Sequence, residues 1–376
     1  MKIGIVCYPT FGGSGVVATE LGMALANKGY EVHFITYNQP VRLDFISRNL
    51  HFHEVLLEEY PLFQHQPYEL ALSSKMVEIV EKHRLEVLHV HYAIPHAYAA
   101  YMAKQMLKQK GITVKVVTTL HGTDITLVGS HPTYKTAVAF SINNSDVVTA
   151  VSKSLKKDTQ RLFTITNPIE VVYNFIDIDK YDKEHQNECK RIALAKPDER
   201  ILTHVSNFRP VKRITDVIKV FDLIQKEVPS KLLMVGEGPD RIKAEALVEE
   251  LQLSGKVIFL GNSYEIAKIL CYSDVFLLPS VSESFGLAAL EAMAADTAVI
   301  STNTGGLPEV NIHGKTGFLS TIGDVEDMAA NALTILKDDH TLNRFKANAK
   351  EHARQFSLKN ILPVYEDIYK SCTIKV

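Results

Sequence analysis

At 376 residues, with 46% hydrophobic and 22% charged side chains, the chain is too long for one small core and too apolar for disorder, so two packed domains are expected. A net charge of −2 with no basic block excludes nucleic acid as the main partner. Four scattered cysteines (Cys7, Cys189, Cys271, Cys372) read as reduced thiols of a cytoplasmic protein, and no apolar run reaches the ~18 residues of a membrane span.

Residues 3–7 read as a first strand, too short for a signal segment. The loop Phe11-Gly12-Gly13-Ser14-Gly15 follows, then a helix over residues 16–27. Gly13, Gly15 and Ala18 fit a dinucleotide fingerprint. The second strand, residues 31–37, runs into Asn38 and Gln39 without the acid that would grip a ribose, which disfavours NAD. A loop that offers backbone N–H groups to a phosphate or sugar stays open beside a plain tight turn. His51-Phe52-His53 and His89-Val90-His91 alternate as strand residues do. Neither has a Cys or acid pair at metal-site spacing, so both read as structural. Strands are predicted over residues 87–91, 115–120, 147–151 and 170–173. His121-Gly122-Thr123-Asp124 follows the strand over 115–120 and sets a histidine where a sugar hydroxyl or a proton can meet it. A purely structural histidine is the alternative.

A polar stretch over residues 177–200 separates a second strand series at residues 201–206, 231–235, 256–260, 275–278 and 298–302. The helix over 215–226 lines up Val217, Ile218, Val220, Phe221 and Ile224 on one side. Strand–helix alternation means parallel sheets with helices on both faces. The expected fold is α/β, with two Rossmann-like doubly wound domains facing across a cleft, 1–172 and 173–357. The last helix, within 358–376, is expected to cross back onto the first domain. Ligands of such sheets bind beyond the carboxyl ends of the strands.

Asp177-Ile178-Asp179 has the D-x-D form of a cation site but lies in the polar junction, where a turn is the better reading. The loop Asn207-Phe208-Arg209-Pro210-Val211-Lys212-Arg213 clusters three cations at a strand end, suited to a diphosphate. Gly236-Glu237-Gly238-Pro239-Asp240 is expected to line the nucleotide through backbone groups. Ser282-Glu283-Ser284-Phe285-Gly286-Leu287 leads from a buried strand into a helix, with Glu291 more than a turn inside it. Free N–H groups at the helix start suit an anion, and the two carboxylates suit sugar and ribose hydroxyls. Gly305-Gly306-Leu307-Pro308-Glu309 adds a glycine turn that leaves room for a ligand.

Taken in order, the glycine loop, His121, Arg209 with Lys212, the Glu283/Glu291 spacing and the Gly305-Gly306 segment resemble the retaining glycosyltransferases of GT-B architecture, family 4. The resemblance covers essentially the whole chain. It implies that Glu291 bonds the ribose of UDP and Glu283 the donor sugar's 3-hydroxyl. Arg209 and Lys212 would bind the diphosphate and stabilise the leaving UDP. The amides of Phe285, Gly286 and Leu287 would meet the phosphate or sugar, His121 the sugar near its 6-hydroxyl, and Gly13 and Ser14 the phosphate side of the first loop. Many relatives place an Arg where this chain has Asn207, and Arg209 is expected to supply that charge.

The segments Cys7–Leu21 and His121–Gly129 are similar to the malate-glycosylating branch of the family. That likeness implies UDP-GlcNAc as donor and the hydroxyl of L-malate as acceptor, the first step of bacillithiol biosynthesis. It implies no cofactor and no metal requirement. Acceptor candidates are Ser14, Tyr92, Thr123 and Lys135, with Arg42 and Lys153 behind them. Rival readings are a lipid or sugar acceptor, or a UDP-sugar binder without transfer. A lipid enzyme should carry a basic amphipathic face, for which residues 101–110 are the one mild candidate. No stable membrane association is expected, and oligomeric state is not legible in the chain.

Overall fold

Short Val-, Ile- and Leu-rich runs become parallel strands buried on both faces, as crossover helices require. The architecture is that of a computed structural model, which describes residues 1–10, 12–44, 47–57, 65–181, 191, 194–263 and 265–373. Phe11, Cys189 and the polar junction residues 182–190 lie outside these. The chain divides into two units: Met1–Asn174 with Leu358–Val376, and Phe175–Ser357.

The first unit contains β1 (Lys2–Val6), β2 (Glu31–Thr36), β3 (Leu50–Glu54), β4 (Val87–His91), β5 (Lys115–Leu120), β6 (Val147–Ala150) and β7 (Ile169–Val171). Among the described residues they form one sheet in the order β3-β2-β1-β4-β5-β6-β7. The second unit contains β8 (Arg200–Val205), β9 (Ser230–Val235), β10 (Val257–Gly261), β11 (Val275–Leu278), β12 (Ala298–Thr302) and β13 (Gly317–Ser320). Their order is β10-β9-β8-β11-β12-β13. Each sheet is thus a doubly wound one whose order reverses at its first strand. Two strands differ from the sequence reading by being present at all: β3 and β13. Both are short edge strands that stay partly exposed, so neither shows an unbroken apolar run.

The core of the second unit sets Phe221 and Ile218 of helix Ile214–Gln225 against Leu202 of β8 and Met234 of β9. The first sheet is less uniform. His89, Thr119 and Thr149 lie buried across β4, β5 and β6. Helix Leu358–Thr373 covers them: Tyr369 Oη is 2.7 Å from His89 Nδ1, and His89 Nε2 is 2.8 Å from Thr119 Oγ1. Glu366 of that helix pairs with Lys28 at 2.5 Å and accepts from the Tyr30 hydroxyl at 3.1 Å. The amphipathic last helix therefore needs a half-polar sheet face, and finds it in the first unit. Among the described residues no helix is long and apolar enough to cross a membrane.

Candidate active site

An open α/β sheet leaves a crevice at its carboxyl edge where the strand order reverses. In the second unit that point lies between β8 and β11. The loop after β8 carries Lys212, the loop after β11 carries Glu283, and the two form an ion pair with both side chains largely buried. Ser280 Oγ donates to the same Glu283 oxygen at 3.0 Å, and Val281 N–H donates to the Val211 carbonyl at 2.8 Å. The three clustered cations therefore differ in work. Lys212 meets Glu283, while Arg213 Nε donates to Asp216 at 2.5 Å in the next helix. Arg209 is exposed, as is Asn207.

Helix Leu287–Ala294 starts at Gly286 with φ +100°, and no side chain caps it. The left-handed backbone at Gly286 favours glycine, and a Cβ there would also push on Leu307 Cδ2, 2.6 Å away. Phe285 is buried edge-on against Phe356, which anchors the start of the helix. Glu291 is also buried and accepts a hydrogen bond from the Tyr181 hydroxyl at 2.8 Å. Below the site His204 lies 2.8 Å from the Leu277 carbonyl and 2.7 Å from Ser206 Oγ, and burial pushes its imidazole down to about 4.

Two glycine turns near this loop are shaped by the protein's own backbone. Gly305 and Gly306 make room for the Glu283 loop. Gly306 N–H donates to the Glu283 carbonyl at 2.8 Å, and a Cβ on Gly305 would lie 1.9 Å from that oxygen. The Gly236–Asp240 turn likewise spends backbone groups inside the protein. Phe208 N–H donates to the Glu237 carbonyl at 2.8 Å, and Asp240 N–H donates to the Phe208 carbonyl at 2.9 Å. Asp177 ion-pairs with Lys180 at 3.7 Å across a short 3-10 turn, Ile178–Tyr181, which accounts for the D-x-D as a turn.

In the first unit the order reverses between β1 and β4. Ser14, in the first turn of the helix that follows β1, and Tyr92, directly after β4, bring their hydroxyl oxygens to 2.7 Å. Tyr92 holds φ +90°, a strained value for a tyrosine and a common one where a site over-determines the backbone. Its ring centroid lies 5.2 Å from that of His121. Gly13 opens helix Gly13–Asn27 and is exposed. The cramped position of that helix start is Gly15, where a Cβ would lie 2.5 Å from the Tyr8 carbonyl oxygen. Thr123 is exposed beside His121, and Lys135 is exposed on helix Pro132–Asn143. Arg42 donates to Glu20 at 3.2 Å.

His121 is buried with Nε2 2.8 Å from His91 Nδ1, and burial pushes its imidazole down to about 3. It is neutral at physiological pH, so it can orient a hydroxyl but carries no charge. Asp124 holds the turn. It accepts from the N–H groups of Ala93 at 2.8 Å, Gly122 at 2.9 Å and His121 at 3.2 Å. Burial nevertheless outweighs those three donors and raises its carboxyl to about 6.

The family profile described as "Glycosyl transferases group 1" matches residues 185–352, and that described as "Glycosyltransferase Family 4" matches residues 11–180. The N-acetyl-alpha-D-glucosaminyl L-malate synthase of Bacillus anthracis is 48% identical over 370 residues, which cover 98% of this chain and 96% of that protein. The chain belongs to glycosyltransferase family 4. It is a sugar-transferring enzyme of the GT-B class. Its fold is similar to the sucrose-phosphate synthase of Thermosynechococcus elongatus, with TM-score 0.80, 22% identity and coverage of 99% of this chain and 98% of that one. It is equally similar to Anabaena HepE solved with UDP and glucose, with TM-score 0.80, 18% identity and full coverage of both chains.

In this glycosyltransferase three neighbours of the proposed site residues escaped the sequence reading. Tyr181 sits in the polar junction, far from Glu291 in the chain. His91 was read as structural, yet it touches His121. His204 lies inside a strand, where nothing marks it. The glycine turn carries a prediction for the transferase. Gly305→Ala should lower the melting temperature and cut turnover about 10²-fold, the scale of a ~1 Å misplacement, because the loop holding Glu283 must move. Gly314→Ala, at φ +74° with open space around it, should lose stability but keep activity. Equal activity losses in the two variants, measured by UDP release, would remove Gly305 from the site.

Proposed function

We propose that the chain transfers N-acetylglucosamine from UDP-GlcNAc to the hydroxyl of L-malate with retention at the anomeric carbon, the first step of bacillithiol biosynthesis. The donor half rests on one observation above all: Lys212 and Glu283 meet at the switch point of the second sheet, beside an uncapped helix start. The acceptor half rests on the likeness to the N-acetyl-alpha-D-glucosaminyl L-malate synthase of B. anthracis. In this reading the second unit binds the nucleotide-sugar and the first unit binds the acceptor.

Lys212 and Arg209 neutralise the diphosphate and stabilise charge as it builds on the leaving UDP. Glu291 takes the ribose, with Tyr181 orienting the carboxylate. Glu283 takes the sugar's 3-hydroxyl. The acceptor oxygen attacks the anomeric carbon on the face that UDP leaves. The bond from that carbon to the β-phosphate oxygen breaks, UDP departs with the electron pair, and the acceptor proton passes to the departing phosphate. No side chain forms a covalent intermediate, so the protein's task is positioning and electrostatics. We read the two cations as supplying what a divalent metal supplies elsewhere.

The test is UDP release from UDP-GlcNAc in the presence of chelator, with a panel of hydroxy acids, inositol phosphate and sugars. Malate should accelerate release and yield an α-linked product by NMR. Release no faster with malate than without it removes the acceptor assignment. A second reading, a lipid acceptor, draws on the exposed Tyr98, Met102, Leu127, Val128 and Tyr134 of the first unit. Co-sedimentation with anionic liposomes, and turnover that depends on them, would favour it.

A further inference from the structure

Four histidines of the first unit, separated by up to fifty residues in sequence, converge away from the proposed transfer site. His33 on β2 lies directly beside His51 on β3 in the parallel register, and His53 follows on the same face of β3. His83 is the last residue of helix Tyr68–His83. The rings stack closely. Centroids lie 4.6 Å apart for His33–His51, 5.1 Å for His33–His53, 4.5 Å for His33–His83 and 5.2 Å for His53–His83. Along the chain His51-Phe52-His53 reads as structural, since no partner stands at metal-site spacing. The partners come from a neighbouring strand and a helix end, which spacing along the chain does not reveal.

We propose that His33, His53 and His83 form a zinc(II) site. One ligand nitrogen from each lies within 4.8 Å of the others. His33 Nδ1 and His53 Nε2 are already 2.8 Å apart. Tetrahedral zinc with Zn–N bonds of about 2.0–2.1 Å needs them about 3.4 Å apart, a small opening between two half-exposed positions and one buried one. His83 Nε2 is buried with no hydrogen-bond partner among the described residues, which is unusual for a polar atom without a task.

The tautomer argument points the same way. His33 Nε2 lies 3.0 Å from Glu31 Oε1. A carboxylate there makes Nε2 the protonated nitrogen and leaves the Nδ1 lone pair facing His53. Metal-bound histidines are oriented by carboxylates in this manner. Glu31 is itself fixed by Lys2 Nζ at 3.1 Å. His51 stands beside Glu31 and His33 as a spare donor, and water or His51 completes four-coordination. Three neutral imidazoles suit zinc(II) and its late first-row neighbours, and exclude magnesium or calcium as the preferred ion.

The site is a structural one rather than part of the transfer chemistry. Glu31 and His33 lie in the amino-terminal half of β2, and His83 ends its helix just before β4 begins. That is the opposite edge of the sheet from Ser14, Tyr92 and His121. A metal there would pin edge strand β3 and the helix end onto β2.

The experiment uses the full chain with any histidine tag removed, stripped by chelator and dialysed. Zinc is titrated in competition with a chromophoric chelator, and cobalt(II) is used as a spectroscopic probe. One equivalent should bind, the cobalt form should show the intense visible bands of tetrahedral nitrogen ligation, and the melting temperature should rise. His53→Gln and His83→Gln should each weaken binding beyond the about 10–100-fold that loss of an outer-shell partner costs. Glu31→Gln should weaken it within that range. The control His340→Gln, an exposed histidine elsewhere, should change nothing. Binding that survives both ligand substitutions, or a stoichiometry far below one in the wild type, overturns the site. Circular dichroism of the metal-free single variants shows that they fold, so that a loss of binding is read as loss of a ligand.

Discussion

Glu283→Ala leaves UDP bound and all but ends transfer. The carboxylate contacts Lys212 and Ser280 at the switch point of the second sheet. Truncation frees Lys212 from its partner, and a free ammonium holds a diphosphate at least as well as a paired one. UDP affinity by calorimetry should therefore stay within about threefold or rise, a change of under ~1 kcal/mol. Turnover should fall about 10²–10³-fold, the cost of losing one preorganised group that acts on the reacting centre. Glu283→Gln should fall between, since it keeps a hydrogen-bond acceptor but loses the charge that positions Lys212. A variant that loses UDP affinity tenfold while its bound fraction turns over normally would reverse the roles of Glu283 and Glu291.

The first unit should unfold in mild acid while the second persists. His89, His91, His96 and His121 are buried. Burial pushes His89 and His121 down to about 3, His96 to about 4, and His91 well below its ordinary value. In the unfolded chain each takes a proton near pH ~6.5. The unfolded chain thus binds more protons as pH falls from about 6.5 towards about 4, and stability is lost in that window. Asp124 acts oppositely. Its carboxyl is raised from 3.8 to about 6, so the folded unit holds one proton there that the unfolded chain lacks.

His33 and His53 are pushed down to about 4 as well, so six histidines less one opposing carboxyl leave about five protons, or up to about 7 kcal/mol per pH unit. A domain stability of about 5–15 kcal/mol is exhausted within a few units at that slope. The second unit has fewer such groups: His204, pushed down to about 4, and His352, lowered by partial burial. Scanning calorimetry at pH 7.5, 6 and 5 should show one transition falling steeply and the other moving little. His89→Gln should flatten the steep one by about one proton, although it destabilises the unit at neutral pH by disturbing Tyr369 and Thr119. Two transitions that shift in parallel would show that these histidines do not control the acid response.

Much of the proposed donor side is legible in the chain because it sits on local patterns. A strand, a turn and a helix start are each written in a few consecutive residues. Glu283, Gly286 and Lys212 could therefore be placed at strand ends before any contact was known. The edge strands were harder. β3 carries Leu50-His51-Phe52-His53-Glu54, which lacks the apolar run of a central strand because one side of it meets no neighbour. The glycine turn at Gly305 is a local pattern as well, but only the approach of Glu283's backbone shows why a glycine stands there.

Periodicity in the chain is enough to specify parallel sheets, their helices and the loops at their carboxyl ends, because burial and backbone pairing act over a few residues at a time. Partnerships between distant loops depend instead on the order in which strands join the sheet. Lys212 meets Glu283 because β11 inserts beside β8, and Ser14 meets Tyr92 because β4 inserts beside β1. His33 meets His53 and His83 because β3 and a helix end close over β2. The last helix docks on the first sheet because Tyr369 answers a histidine buried in β4. Each of these is a three-dimensional match of polar groups, and no window of sequence contains both halves.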